Sequence, residues 1–179
     1  REICSTEDVI AALCQRVDYF ASHGCLCADH GLDYCMYAEP DKAAADKAFQ
    51  KAMEGNRPAR DEADAYKTMV TVACAKKYAE KNWVMQIHFG CLRDNNKPQF
   101  AKLGPDTGYD AVNPQSGAEH VAPLLNAFAE NQGLPKVILY SLNPCDNTAL
   151  VSIAGCFQGG GMVGRVQQGS GWWFNDNRT

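Results

Sequence analysis

The chain has 179 residues, 46% of them hydrophobic, and a formal net charge of −4 from 17 basic and 21 acidic side chains. That length supports a hydrophobic core but falls short of the roughly 250 residues of a whole (β/α)8 barrel. Interspersed charge offers no basic stripe for a phosphate backbone, and no run of about 18 apolar residues is present to cross a bilayer, so neither nucleic acid nor a membrane is expected as a partner.

The sequence opens Arg1-Glu2-Ile3 with no initiator Met and no basic-then-apolar leader, and reads as the interior of a longer sequence. Apolar residues at helical spacing (Val9, Ile10, Leu13, Cys14, Val17, Phe20, Ala21) run from a cap at Ser5 or Thr6 to a stop at Gly24 and predict the first helix. The small apolar run from Cys25 to Gly31 follows, as expected of a strand buried on both faces. Between Asp41 and Glu80 the Ala, Lys, Glu and Asp content predicts a shorter helix, a turn at Gly55-Asn56-Arg57-Pro58, and a long helix over residues 61–81. Trp83-Val84-Met85-Gln86-Ile87-His88-Phe89 has the aromatic and β-branched content of a buried strand. Residues 94–117, rich in Asn, Pro, Gly and Asp, form a loop too long for an ordinary spacer, which points to function. A helix over 118–131, a strand over 136–141, a helix capped in the segment 143–147 and running to about Phe157, and a last strand over 162–167 complete the pattern. Four strands each preceded by a helix, with no hairpin signal between them, specify right-handed crossovers and hence a parallel sheet of the α/β class.

In parallel β/α folds chemistry gathers at the carboxyl ends of the strands. Here those ends carry Asp29 and His30, then His88, Arg93 and Asp94, then Asn143 and Asp146, then Trp172, Trp173 and Asp176. His88 stands in an apolar strand, where a neutral imidazole can ligate a divalent metal, bond a substrate oxygen, or be a satisfied core histidine. Arg93 has the planar fork for a substrate carboxylate, against a rim ion pair as the plainer role. Trp172 and Trp173 offer flat surface to a sugar ring, although paired tryptophans more often pack a core or an interface. Nine cysteines at scattered positions fit reduced, cytosolic thiols, most of them small buried hydrophobes. Cys25, Cys27, Asp29 and His30, with Cys35 nearby, lack paired zinc spacing, and strand alternation sends His30 to the face opposite Asp29. Gly159-Gly160-Gly161 precedes its strand and matches no phosphate-binding pattern.

Five motifs in order, Ala28-Asp29-His30-Gly31-Leu32-Asp33, the segment 83–90 with Leu92-Arg93-Asp94-Asn95-Asn96, Leu103-Gly104-Pro105-Asp106-Thr107-Gly108, the segment 138–144, and the segment 169–176, resemble uronate isomerase. The resemblance implies a partial (β/α)8 barrel of the amidohydrolase superfamily, with residues 1–179 as a single domain holding its fourth to seventh strands. It further implies an aldose–ketose isomerase interconverting D-glucuronate with D-fructuronate and D-galacturonate with D-tagaturonate, in the cytoplasm. A divalent metal, zinc by expectation, is implied as cofactor. On this reading His88 and Arg93 are catalytic, His88 is also a metal ligand, and Asp29, His30, Asp94, Trp172 and Trp173 bind a hexuronate substrate. The family's His-x-His pair and its Asp-Ser-Arg segment do not occur in these 179 residues, so the principal metal ligands lie elsewhere and the active site is incomplete. Raw sheet edges imply either a complete protein longer than these residues or association of the fragment, with a homo-oligomer among the expected partners. A metal-dependent hydrolase of the same superfamily and a non-catalytic fragment are the competing expectations.

Overall fold

The computed structural model describes residues 2–131, 133–159 and 161–170. Helix α1 (Thr6–Ser22) starts where the sequence places it: the Ser5 hydroxyl accepts the Asp8 amide at 3.2 Å, and Glu7 and Asp8 put negative charge on the first turn. Strand β1 (Cys27–Gly31) follows. Helix α2 (Lys42–Met53) is capped by the Asp41 carboxylate, which accepts from the amides of Ala43 and Ala44, and α3 (Arg60–Glu80) fills 21 residues. Strand β2 (Val84–Phe89) leads into a two-residue strand β3 (Cys91–Leu92), helix α4 (Lys97–Leu103) and a two-residue strand β4 (Ala111–Val112). A 3-10 turn at Ala118–His120 precedes α5 (Val121–Glu130), then come β5 (Lys136–Ser141), a second 3-10 turn at Pro144–Asp146, α6 (Asn147–Cys156) and β6 (Val166–Gln168).

Strands β1, β2, β5 and β6 form one parallel sheet in the order β1-β2-β5-β6, as the crossovers require. In β2 and β5 burial alternates with a period of two. Met85, Ile87 and Phe89, then Val137, Leu139 and Ser141, fill the buried face, while Gln86, His88 and Tyr140 stand on the half-buried one.

The chain divides into two compact units, and the division cuts through the strands. One unit contains α1, α2, α3 and α5, with a core that includes Ala45, Phe49, Val72, Ala75, Leu124 and Phe128. Within it the Asp46 carboxylate accepts the Thr6 amide at 3.0 Å, and Glu62 bonds Lys51 at 2.7 Å and Lys47 at 3.0 Å, so charge-assisted bonds tie α2 to α1 and α3. The other unit holds the carboxyl-terminal parts of β1, β2 and β5, all of β6, and the loops that follow them.

Four expectations need correction. Strand β1 is an outer strand, so its residues alternate between exposed and half-buried and neither face is covered. The segment 94–117 is not an unstructured loop, because it contains α4 and returns through β4, which pairs antiparallel with β3 (Cys91 with Val112, Leu92 with Ala111). Two residues per strand are too few to leave an alternation signal, which is why the sequence shows no hairpin there. The last strand is only Val166–Gln168, the residues before it being taken up by a turn bridged between Gly159 and Met162. Among the cysteines only Cys35, Cys74 and Cys91 are buried, and all nine are free thiols. Trp172, Trp173 and Asp176 lie outside the described residues.

Candidate functional site at the strand ends

Three adjacent strands bring three side chains into one row. His88 of β2 bonds Asp29 of β1 through Nδ1 and Oδ1 at 2.6 Å, and on its other flank its ring lies parallel to that of Tyr140 of β5, with centroids 4.2 Å apart and 9° between planes. Asp29 is largely exposed at its side chain (59%), whereas His88 is mostly covered (17%). The Tyr140 hydroxyl accepts a long bond from the Gln86 amide at 3.4 Å. Period-two alternation places Gln86 and His88 on one face of β2, and Tyr140 occupies the same level on the neighbouring strand.

His30 is turned from this row, as alternation predicts. Its Nδ1 lies 3.2 Å from the Gln86 carbonyl oxygen, and burial, opposed by that bond and by the charge of Asp29, pushes its pKa below the ordinary histidine value. Arg93 is engaged by two carboxylates: Nη1 bonds Asp110 at 2.8 Å, and Nη2 pairs with Asp106. The two acids differ, Asp106 being 72% exposed and Asp110 only 9%. Asp94 adopts a left-handed φ of 53°, and its amide donates to Asp110 at 2.9 Å, so Asp110 fastens both the guanidinium and the backbone beside it. Beside them Asn95, Asn96, Lys97, Pro98 and Tyr109 line an open recess of about 500 Å³.

Beyond β5 the Ser141 hydroxyl donates to Asp146 at 2.5 Å and accepts the Asn143 amide at 3.1 Å, and Asn143 accepts the Cys145 amide. Asn143 thus caps the 3-10 turn before α6, whereas Asp146, at the N-cap position of α6, makes no side-chain cap bond and takes the Ser141 hydroxyl instead. The structure thus unites Asp29 with His88, places Arg93 with Asp94 on a neighbouring loop, and adds Tyr140, which sequence reasoning passed over. Its signal was available: Tyr140 sits one residue before the end of a strand, in phase with the polar face. Among the described residues no three His, Cys, Asp or Glu side chains converge as a metal-binding group.

A parallel β/α sheet whose ionisable side chains collect at the carboxyl ends of the strands places the chain with proteins of the (β/α)8-barrel type. A family model described as glucuronate isomerase matches residues 1–179, and the chain belongs to that family. It is 43% identical over 178 residues to a uronate isomerase of Lachnospira eligens and 44% identical over 177 residues to one of Edwardsiella ictaluri, in each case 99% of this chain and 38% of the relative. Among solved structures, a uronate isomerase from Thermotoga maritima superposes with a TM-score of 0.84 at 32% identity, over 97% of this chain and 37% of the other. A glucuronate isomerase from Caulobacter crescentus, at 24% identity and a TM-score of 0.82 over 98% of this chain and 35% of the other, shares the fold. The chain therefore spans well under half the length of these relatives.

Proposed function

We propose that the protein to which these residues belong is an aldose–ketose isomerase of hexuronates, interconverting D-glucuronate with D-fructuronate and D-galacturonate with D-tagaturonate. The observation that carries this reading is the end-to-end match of residues 1–179 to the glucuronate isomerase family. The row of Asp29, His88 and Tyr140 at the strand ends supports it. Because the chain spans 38% of its relatives' length, it is taken to hold part of the active site, on the fourth to seventh strands of a barrel.

The reaction takes the C2 proton from an open-chain aldose, passes through an enediol, and returns a proton to C1 while the O2 proton leaves and O1 gains one. It needs a base at carbon, a donor or cation at the developing oxyanion, and a clamp for the carboxylate at the far end. His88 has the chemistry of the base, because the Asp29 carboxylate beside Nδ1 stabilises the imidazolium formed when the ring takes a proton. Arg93 is assigned to the substrate carboxylate by exchange: the exposed Asp106 yields its place on Nη2, while the covered Asp110 keeps Nη1 and the loop in position. Asp29 and Asp94 are assigned to the border of the substrate, His30, turned to the other face of β1, to its support through the Gln86 carbonyl, and Trp172 and Trp173 to sugar binding. His88 would give a divalent ion such as zinc the same unprotonated Nε2 as a ligand, in place of its role as base, and the ion would supply polarisation of the substrate carbonyl oxygen. The described residues do not complete a coordination set. A cytoplasmic, self-associating enzyme is the setting proposed.

The test is conversion of D-glucuronate by the whole protein in deuterium oxide, following D-fructuronate and label at the transferred position. Turnover that falls at least roughly 100-fold in His88→Ala supports the reading. No ketose from either aldose sinks the isomerase, and full turnover in His88→Ala sinks the role of His88.

A further inference from the structure

We propose that Asp29 and Tyr140 are positioning residues for His88, Asp29 by fixing the imidazole as its Nδ1–H tautomer and Tyr140 by fixing the plane of the ring. For catalysis this rests on His88 being the reacting imidazole proposed above, whereas the tautomer itself stands on the geometry alone.

The geometry is that of a stack held from both sides. A neutral imidazole has one N–H and one basic nitrogen, and an ionised carboxylate can only accept. With 2.6 Å between Asp29 Oδ1 and His88 Nδ1, the shared proton sits on Nδ1, and Nε2 is the basic nitrogen of the neutral ring. That bond fixes one point of the ring and not its plane. The parallel Tyr140 ring at 4.2 Å restrains the plane, because tilting His88 on that side drives it into the aromatic face. Tyr140 is in turn backed by Gly169, which follows β6: a Cβ placed at Gly169 would overlap the Tyr140 ring at Cδ1 and Cε1. The Gly169 amide donates to the Leu139 carbonyl at 2.9 Å, so the backing is main chain anchored to the strand that carries Tyr140. Gln86 holds the Tyr140 hydroxyl from β2, two residues before His88. The row Asp29, His88, Tyr140, Gly169 thus runs across β1, β2 and β5 to the residue that follows β6, each member limiting the next.

The chemical consequence is a tautomer opposite to the one free histidine favours in water, where Nε2–H predominates. An imidazole held this way presents its basic nitrogen in one direction, and orienting partners of this kind are commonly worth roughly 10- to 100-fold in activity or metal affinity.

The test is long-range proton–nitrogen spectroscopy of the 15N-labelled whole protein without substrate, read at His88. The expected spectrum shows protonated Nδ1 and unprotonated Nε2 at a pH where the ring is neutral. Asp29→Ala is expected to move the population towards Nε2–H, while Tyr140→Leu keeps the tautomer and broadens the ring resonances. Tyr140→Phe, which keeps the stack, is expected to restore the sharp signals. An Nε2–H signature in the unsubstituted protein overturns the proposal at once, with no variant needed. So does an unchanged His88 spectrum in Asp29→Ala when backbone amide shifts away from residues 29 and 88 remain in place. In turnover, Asp29→Ala is expected to lower kcat/KM roughly 10- to 100-fold. Absence of isomerase turnover in the unsubstituted protein refutes the reaction proposed above and leaves the tautomer measurement standing, so the two failures are separable.

Discussion

Replacing Gly117 by Ala tests how the loop after β2 is locked. Gly117 has a φ of +76°, and a Cβ there would overlap the Cys35 carbonyl oxygen and lie 3.2 Å from the Cys35 carbonyl carbon and nitrogen. The neighbouring Ser116 carbonyl accepts the Cys35 amide at 2.8 Å, so the crowded atoms cannot retreat without stretching that bond. A left-handed L-residue costs about 1–2 kcal/mol, and forcing atoms into packed space adds about 1–3 kcal/mol. The lower entropy of the unfolded Ala chain offsets about 0.4–1 kcal/mol, leaving a net loss of about 1–5 kcal/mol. Gly55, at the end of α2, provides the control, with a φ of +79° and nothing within 4 Å of a Cβ, so Gly55→Ala carries only the backbone cost. Urea denaturation of both variants is the assay. At an m-value of about 2 kcal/mol/M, the midpoint of Gly117→Ala is expected to fall about 1 M below that of Gly55→Ala. Midpoints within about 0.2 M of each other refute the argument that the Cys35 backbone closes over Gly117.

Lowering pH is expected to loosen the helical unit. Asp46, held down by Lys42 and the Thr6 amide, and Glu62, held down by Lys51, Lys47 and the Ala59 amide, are depressed to about 2. Their contribution is full above the ordinary carboxylate range near pH 4 and is lost as pH falls towards 2. Melting temperature against pH should flatten in the double variant Asp46→Asn, Glu62→Gln, and an unchanged slope refutes the assignment. Thiol labelling at neutral pH should modify the exposed Cys4, Cys27, Cys145 and Cys156 and spare Cys35, whose thiol burial pushes up to about 12. Labelling of Cys35 in the folded protein contradicts its burial. Asp106→Asn removes an exposed competitor for Arg93 and is expected to lower the KM for hexuronate by up to about fivefold, the value of an exposed ion pair; a raised KM sinks the exchange.

The parts of the fold that rest on long periodic segments were legible in the sequence. Ser5, Asp41 and the apolar spacing of α1 mark helix boundaries because capping and amphipathicity are local. The parallel sheet followed from the helix–strand order. What escaped was set by neighbours: β1 has the composition of a buried strand, and only its outer place in the sheet leaves it uncovered. His88 and Asp29 stood out as strand-end residues, but their pairing across 59 positions depends on register. Arg93 was read as a carboxylate binder, and carboxylates do occupy it, though they come from its own loop. Tyr140 was hidden because a tyrosine in a strand is ordinary until its ring is seen against an imidazole.

The β3–β4 ladder has a further consequence. It closes the excursion containing α4 at its base, pairing Cys91 with Val112 immediately after the strand that carries His88. A segment tied off at its neck behaves as an interchangeable cassette, since changes in its length or composition cost only closure entropy, which grows slowly with length. Residues 95–105 can therefore diverge, or be grafted from another member of the family, while Asp110 keeps Arg93 in place and the imidazole row stays in register. Changes in this loop and changes in the row of Asp29, His88 and Tyr140 are in this way placed under separate mutational control.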